Sequence, residues 1–419
     1  MKQVTPHIIL PPVIRILRDQ ANQSIRVEHS ELYLYFASFI LPYHEEWDVQ
    51  VHCEFGANYG DCWGIRDAFP RDRDSFPLSI VIYDEQKTKL AEKTVTIKLC
   101  DRSVGQEPYR VLFFGDSMTR AAQYVTHAVT RLYNLQTIGT RTYNGMIYME
   151  GRGGWNMAAY CTHRQATPAC ACSPFMFPRN VAGEDYYGDL VYWSEIKNPV
   201  HNGYEYDGYR YEEIRQGQYF LSDGKLYQQM VDDAVMVEQE PVFEFSFSKY
   251  IARHKIGKVD AVSVLMGAND LQHCTYEELD GKMEKYIQYL HMFVNSVLEN
   301  DAETAIVINL PVLGAEQYAW GDKVGCRTTA KNYNYNMQHA AMAIIREFGD
   351  RESQGIYLCP MQAILDPTSS HFHVQYHPNM YTDRFCEAQT DWVHPNYIGY
   401  CQMGDALAAV LEDIRQQTK

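Results

Sequence analysis

A Gly-Asp-Ser-Met tetrapeptide at positions 115–118 lies where a predicted buried strand gives way to a predicted helix. Residues 109–114 are apolar apart from one arginine, which is typical of a strand covered on both faces. Residues 119–133 carry apolar side chains at helical spacing. Ser117 is therefore expected at the carboxyl end of a parallel strand, where open α/β sheets place ligands. It would also lie near a helix N-terminus, whose free amides and dipole favour developing negative charge.

Three later segments place polar residues or glycines beside a strand end or a helix start. The turn Gly-Arg-Gly-Gly-Trp-Asn, residues 151–156, follows a short apolar run at 146–149. Gly-Ala-Asn-Asp, residues 267–270, follows the clearest buried strand of the chain at 259–266. Asp-Trp-Val-His-Pro-Asn, residues 391–396, precedes the last predicted helix. Since parallel strands end along one sheet edge, all four segments can meet there.

In this order and context, the four segments resemble those of the SGNH/GDSL hydrolase family, over roughly residues 109–415 with a long insertion. The family's blocks supply a nucleophilic serine, an oxyanion glycine, an oxyanion asparagine and an Asp-x-x-His pair. The resemblance implies a catalytic set of Ser117, Asp391 and His394. It implies an oxyanion hole of Ser117, Gly154 and Asn269.

Each of these residue types suits its implied role. A serine hydroxyl is a poor nucleophile until a base such as His394 removes its proton. Asp391 would accept a hydrogen bond from the other imidazole nitrogen, which fixes the tautomer and stabilises the imidazolium. Attack on an ester carbonyl creates an oxyanion that needs preorganised N–H donors. A glycine allows a peptide N–H to approach without a side chain in the way, and Asn269 adds a side-chain amide.

Two features of the second segment stay open in the sequence. The glycine run permits either Gly153 or Gly154 as the oxyanion donor. The departure from the commonest family block after these glycines suggests that Arg152 and Trp155 line an acyl or sugar pocket. Asp116 is expected to brace the turn before the serine rather than to react.

Length and composition bound the remaining possibilities. A chain of 419 residues suggests two domains. Its net charge of −16 argues against a nucleic-acid or anionic-membrane partner, which would need basic patches. No cofactor is expected, because neither a dinucleotide fingerprint nor a phosphate-binding loop is present. A homo-oligomer is possible.

The amino-terminal residues lack the apolar core of an export signal, because prolines and arginines interrupt it. No stretch approaches the ~20 apolar residues of a membrane span. We therefore expect a cytoplasmic protein whose 11 cysteines are reduced thiols. Cys161 and His163, followed by Cys170 and Cys172, invite a zinc hypothesis, but single-residue gaps make awkward chelates and no metal is expected.

The predicted fold class is α/β, with two domains. Residues 1–105 are predicted to form a small β-sandwich, and residues 106–419 a three-layer α/β/α domain of flavodoxin-like type. The predicted strands of the sandwich are 30–36, 47–53, 78–83 and 94–99. The later strands are 304–310 and 356–358, and the long helices are 277–298, 330–348 and 396–414.

A tyrosine-rich insertion at about 160–250 is far longer than a usual crossover. Its tyrosines could stack on sugar rings, or could pack a satellite β-hairpin. The nine tyrosines in question are Tyr186, Tyr187, Tyr192, Tyr204, Tyr206, Tyr209, Tyr211, Tyr219 and Tyr227.

Among family members, a β-sandwich ahead of the hydrolase domain resembles carbohydrate esterases that remove O-acetyl groups. The resemblance therefore implies an esterase that acts through an acyl-enzyme on a small acylated substrate, expected to be an oligosaccharide. Two alternatives stay open. One is a lipid or thioester hydrolase of the same fold, and the other is a carbohydrate-binding protein without turnover. The amino-terminal domain would either bind carbohydrate or shape the cleft of its neighbour.

Overall fold

The computed structural model describes residues 5–18, 31–66, 69–70, 72–103, 107–165, 172–190 and 213–417. Its strands are His7–Ile8, Val13–Arg18, Glu31–Tyr35, Ile40–Leu41, Asp48–His52, Ala57–Asn58, Cys62–Arg66, Ser75–Tyr83, Lys89–Asp101, Tyr109–Gly115, Leu135–Ile138, Arg141–Tyr143, Ile147–Gly151, Met176–Pro178, Tyr186–Asp189, Tyr219–Ser222, Lys225–Gln229, Ala234–Glu238, Phe243–Phe245, Ala261–Leu265, Ala305–Asn309, Ile356–Cys359, Phe372–Tyr376 and Cys386–Thr390. Its α-helices are Phe36–Phe39, Ser117–Arg120, Gln123–Arg131, Met157–Cys161, Phe247–His254, Ala268–Leu271, Leu279–Asn300, Gln317–Val324, Ala330–Phe348, Met361–Ile364 and Tyr397–Gln417, with short 3₁₀ turns at Gly183–Asp185 and Glu352–Gln354.

A seven-stranded sheet organises the region after residue 107. Tyr109–Gly115 lies inside it, and Ala261–Leu265, Ala305–Asn309 and Ile356–Cys359 follow in order on one side. All three pairings are parallel, and the strands are almost wholly buried apolar runs. Parallel sheets covered on both faces select such sequences, so the predicted α/β class is confirmed.

Two strands share the other side of Tyr109–Gly115. Leu135–Ile138 pairs with its first residues, and Ile147–Gly151 pairs in parallel with its last two. Arg141–Tyr143 closes this edge as an antiparallel strand. The chain therefore turns into segment 151–156 directly beside the turn that holds Ser117.

The predicted helix over 119–133 is corrected. The structure has two helices, Ser117–Arg120 and Gln123–Arg131, separated by Ala122 in the left-handed region at φ 57°. Apolar spacing alone could not reveal this break, because Ala122 and Tyr124 are both fully buried and keep the helical pattern.

The amino-terminal region is rich in strands, as predicted. A four-stranded sheet has the order Val13–Arg18, Lys89–Asp101, Ser75–Tyr83 and Asp48–His52. A three-stranded sheet is formed by Glu31–Tyr35, Cys62–Arg66 and Ala57–Asn58. The four predicted strands are present, whereas Val13–Arg18 and Cys62–Arg66 were missed. Sandwich packing, the three-layer arrangement and a boundary near residue 105 stay predictions.

The described part of the insertion forms a four-stranded sheet in the order Tyr186–Asp189, Tyr219–Ser222, Lys225–Gln229 and Ala234–Glu238. Tyr186 and Tyr187 are buried, and the Tyr227 ring stacks on Phe220 with centroids 5.6 Å apart. These tyrosines match the packing interpretation. Five of the others, Tyr192, Tyr204, Tyr206, Tyr209 and Tyr211, lie outside the described residues.

A buried ion-pair group joins the amino-terminal sheet to the final helix. Arg15 donates from Nε to Asp413 Oδ2 at 2.6 Å and from Nη2 to Glu352 Oε2 at 2.8 Å. Lys98 Nζ lies 2.6 Å from the other Asp413 oxygen. Burial acts to raise the pKa of Asp413, but its bonds to Lys98 and Arg15 outweigh it and lower that pKa. One hydrophobic cluster also contains residues of both regions.

None of the helices in the described part of the chain combines the length and the apolar character needed to cross a bilayer.

We expect Arg15→Met to lower the free energy of unfolding by about 3–5 kcal/mol, because it strips the buried carboxylate of Asp413 of one of its two cationic partners. Thermal and denaturant unfolding would measure the change. Lys89→Met is the matched control, because Lys89 forms an exposed pair with Glu92 and should leave the free energy of unfolding nearly unchanged. Equal free energies of unfolding for the two variants would contradict a stabilising role of the Arg15 ion-pair group.

Candidate active site

Ser117, His394 and Asp391 form a continuous hydrogen-bonded chain. His394 Nε2 lies 2.8 Å from Ser117 Oγ, and His394 Nδ1 lies 2.9 Å from Asp391 Oδ1. These distances fit a hydroxyl that gives its proton to an imidazole whose second nitrogen is held by a carboxylate. The structure thus brings together the three residues of the predicted catalytic set.

The turn that carries His394 is built around Asp391. This residue has a left-handed backbone at φ 57°, which aspartate tolerates better than most residues. Asp391 Oδ1 accepts both the His394 side-chain bond and, at 3.3 Å, the His394 backbone N–H. One carboxylate therefore shapes the loop and orients the imidazole, which is why a three-residue spacing suffices.

Neighbouring segments hold this loop against the sheet edge. The Ala315 N–H donates to the Trp392 carbonyl at 3.0 Å. Asn396 donates from Nδ2 to the carbonyls of Ser369 and His371, at 2.8 and 2.7 Å. Its Oδ1 accepts the Gly399 N–H, which caps the start of the final helix. The loop that carries the imidazole is thereby held on both sides of His394.

The turn at Ser117 is equally constrained. Asp116 caps the helix by accepting the Met118 N–H at 2.9 Å, and it is buried. A Cβ on Gly115 would lie 2.0 Å from Thr119 Oγ1 and 2.7 Å from the Leu265 carbonyl, so only glycine fits there. Asp116 braces the turn, as its sequence position suggested.

The pKa values of His394 and Asp391 are shifted in the directions that base catalysis by the histidine needs. The bond to Asp391 raises the pKa of His394 above its usual value, against the effect of burial. Burial acts to raise the pKa of Asp391, but the bond and charge of His394 outweigh it, and that pKa falls below its usual value. The aspartate therefore stays ionised while the histidine gains and loses a proton.

Backbone N–H groups beside the serine can serve as oxyanion donors. Within the described residues, the N–H groups of Ser117, Gly153 and Gly154 donate to no acceptor. Gly154 has a positive φ of 75° and open space where a Cβ would stand, whereas a Cβ on Gly153 would lie 2.6 Å from Arg120 Nη1. Gly154 is thus the more open of the two candidate positions.

Asn269 reaches the same place from the neighbouring strand. Its Nδ2 donates to the Trp155 carbonyl at 3.0 Å and makes a longer contact of 3.4 Å with Asp116 Oδ2. It therefore lies between the turn at 151–156 and the turn at Ser117. The predicted oxyanion residues converge on one corner of the sheet edge.

A buried polar group lies beneath this corner. The Tyr160 hydroxyl faces the carbonyls of Gly115 and Glu150 at 2.9 and 2.8 Å, and so ties the two strand ends together. Glu150, which is fully buried, accepts from the Tyr250 hydroxyl at 2.8 Å and from Arg152 at 3.2 Å.

The two predicted substrate residues differ in position. Arg152 is only 2% exposed, and its guanidinium lies against Glu150 and 4.9 Å from the centroid of the Trp155 ring. This position favours support of the turn over direct substrate contact. Trp155 is partly buried, with its ring 4.8 Å from that of Tyr160. The role of each toward a substrate stays a prediction.

The cysteine–histidine cluster gains no support from the described residues. His163 stacks face to face on Phe243 at 3.5 Å, and Cys161 is buried with its sulfur 3.7 Å from the Tyr289 carbonyl. Cys170 lies outside the described part of the chain. Within that part, no group of three or more His, Cys, Asp or Glu side chains is arranged to hold a metal ion.

Three supporting residues escaped sequence reasoning, namely Glu150, Tyr160 and Asp270. Asp270 accepts the Met157 N–H at 2.9 Å and links the third and second segments. Burial raises its pKa to about 7. The position of Asp270 next to Asn269 was the one feature of the sequence that could have linked it to the site. Nothing in the sequence pairs Glu150 or Tyr160 with the site.

Comparison with known proteins identifies the class. The model of the GDSL-like lipase/acylhydrolase family matches residues 111–407, which is more than half of the chain. The chain belongs to this family, and it is a hydrolase that acts on esters. No curated protein matches it significantly.

Several solved structures are similar. A carbohydrate esterase of family 3 from Talaromyces cellulolyticus shares 12% identity at a TM-score of 0.35, over 74% of this chain and 99% of that one. A family 3 carbohydrate esterase from Clostridium thermocellum shares 11% identity at a TM-score of 0.34, over 75% of this chain and 100% of that one. A peptidoglycan O-acetylesterase shares 13% identity at a TM-score of 0.32, over 74% of this chain and 92% of that one. Likeness at this level says nothing about the substrate of this chain.

The raised pKa of His394 sets the pH dependence. Since only neutral imidazole can accept the serine proton, kcat/KM should fall as pH drops through a midpoint above about 6.5, the ordinary histidine value. Asp391→Asn should move that midpoint to lower pH and reduce kcat by about 10⁴-fold. Rate profiles from pH 5 to 9 would measure both. An unchanged midpoint would mean that another group orients His394.

The ionised form of Asp116 destabilises the folded protein, so the effect of this residue on stability depends on pH. Burial raises its pKa to about 6, so the folded state holds a proton that the unfolded chain has already lost between about pH 4 and 6. Ionisation of the buried carboxyl therefore lowers the free energy of unfolding by up to about 3 kcal/mol above pH 6. This loss disappears as pH falls toward 4.

Asp116→Asn, which is neutral at every pH, should therefore raise the melting temperature more at pH 8 than at pH 5. The exposed Asp350→Asn is the control and should leave both values unchanged. A gain of the same size at both pH values would contradict a titrating Asp116.

Proposed function

We propose that the protein is a serine esterase that removes acyl groups, O-acetyl in particular, from carbohydrate through an acyl-enzyme. The observation that carries the proposal is the Ser117–His394–Asp391 chain, with both hydrogen bonds under 3 Å. Free N–H donors beside it supply the second requirement of acyl transfer.

In the first half of the reaction, Ser117 Oγ attacks the ester carbonyl carbon while its proton passes to His394 Nε2. The carbonyl oxygen becomes an oxyanion, which the N–H groups of Ser117, Gly154 and Asn269 stabilise. Collapse of the tetrahedral species breaks the bond to the sugar oxygen. That oxygen takes the proton from His394, and the acyl group stays on Ser117.

In the second half, water gives a proton to His394 Nε2 and its oxygen attacks the acyl carbon. The new oxyanion collapses, Ser117 Oγ recovers the proton, and a carboxylic acid leaves. Asp391 stays ionised throughout and stabilises the imidazolium in both halves.

Polar and aromatic groups beside the catalytic residues support a carbohydrate substrate. The exposed His273 follows Asn269 closely, and its ring lies 5.9 Å from Trp392 in a stacked orientation. The hairpin of Phe372–Tyr376 and Cys386–Thr390, which ends directly before Asp391, exposes Phe372. Flat rings suit the apolar faces of a sugar, and the imidazole nitrogens of His273 suit its hydroxyls, better than they suit an acyl chain.

The proposal includes a three-layer flavodoxin-like hydrolase domain beside an amino-terminal β-sandwich that shapes the cleft. It also includes a cytoplasmic location, with an oligosaccharide as the substrate and neither nucleic acid nor membrane as a partner. The net charge of −16 supports the last point.

A p-nitrophenyl acetate assay tests the central proposal. Ser117→Ala should lose about 10³-fold or more in kcat, because it removes the nucleophile. Ser248→Ala, at an exposed helix position, is the matched control and should keep full activity. Equal rates for wild type and Ser117→Ala would favour a binding protein without turnover.

The acyl group and the alcohol are tested separately. We expect faster release of acetate than of octanoate from p-nitrophenyl esters, and release of acetate from acetylated xylo- or manno-oligosaccharides. Preference for acyl chains of eight or more carbons would favour the lipid or thioester hydrolase instead.

A further inference from the structure

We propose that Gln272 is a positioning residue that holds the Asn269 side chain with its NH₂ group, rather than its oxygen, toward the oxyanion. This inference rests on the proposed function, because it concerns a donor of the same site. The four-segment pattern does not single out Gln272.

The contact between the two amides is direct. Gln272 Nε2 donates to Asn269 Oδ1 at 3.2 Å. Asn269 lies in the short helix Ala268–Leu271, and Gln272 is the next residue after that helix. A spacing of three residues places both side chains on one side of the helical turn.

The other end of the Asn269 amide meets fixed acceptors. Nδ2 donates to the Trp155 carbonyl at 3.0 Å, and the peptide group before it is held because the Trp155 N–H donates to the Arg152 carbonyl at 3.2 Å. The remaining Nδ2 contact, to Asp116 Oδ2, is long at 3.4 Å. A bond of that length is weak, so this N–H is free to turn to an oxyanion when one forms.

The orientation matters because an amide has two unlike ends of similar size. If the Asn269 amide turned over, its oxygen would face the Trp155 carbonyl and the developing negative charge, and both contacts would be repulsive. Gln272 opposes this state by satisfying Oδ1 on the side away from the reaction. Asn269 is then ready before the oxyanion appears, which is the condition for effective electrostatic stabilisation.

Two substitutions of similar size separate positioning from simple packing. Gln272→Met removes the donor and should lower kcat by about 5–10-fold, the value of one neutral hydrogen bond, with KM nearly unchanged. Gln272→Glu places a carboxylate against Asn269 Oδ1 and should lower kcat by about 30-fold or more at pH 8. A packing role predicts that the glutamate variant, which keeps the shape, resembles wild type.

A double-mutant cycle gives the decisive result. Asn269→Ala should lower kcat by about 10²–10³-fold. In that background, Gln272→Met should have no further effect, because there is no amide left to orient. A loss of the same size in both backgrounds would overturn the proposal.

The controls distinguish the possible failures. Gln288→Met and Gln288→Glu alter an exposed glutamine on Leu279–Asn300 and should keep full activity. Melting temperatures of all variants show whether each one folds. If Ser117→Ala keeps its activity, the proposed function fails; if Asn269→Ala is impaired while both Gln272 variants equal wild type, only the present inference fails.

Discussion

The fold depends on one constraint, namely that Ser117 and His394, which are 277 positions apart, lie within a hydrogen bond of each other. A parallel sheet meets this constraint because its strands all end at one edge. Tyr109–Gly115 delivers the serine, and its neighbours on both sides deliver the oxyanion residues. The final loop returns to the same edge only because Asp391 shapes it and Asn396 anchors it.

The site is held together by buried polar groups as much as by apolar packing. Tyr160, Glu150 and Asp116 are fully or almost fully buried, and each hydrogen-bonds a group from another segment of the chain. Such groups are expensive to bury unless they are satisfied, so their bonds favour one arrangement over others. The raised pKa of Asp116 indicates that stability is lost at this corner of the molecule. A rigid, polar corner is what a preorganised oxyanion site requires.

Local sequence signals predicted the parts of the fold that depend on local physics. Unbroken apolar runs gave the buried strands, and the helix at 330–348 was predicted with its observed bounds. The break at Ala122 was missed because burial and periodicity look alike on both sides of it. Val13–Arg18 was missed because prolines precede it and Arg15 interrupts its apolar pattern, while the Arg15 charge is satisfied by Glu352 and Asp413, which are distant in the sequence. Motif residues could be predicted, but Gln272 acts through Asn269 and has no sequence signature of its own.

Covalent labelling tests the activation of Ser117 by His394 most directly. A fluorophosphonate ester that traps nucleophilic serines should add one label per chain, and peptide mass spectrometry should place it on Ser117. The labelling rate in His394→Ala should fall by about 10³-fold or more, since the unassisted hydroxyl is a poor nucleophile. A label on another residue, or labelling of Ser117 at the wild-type rate without His394, would contradict the account.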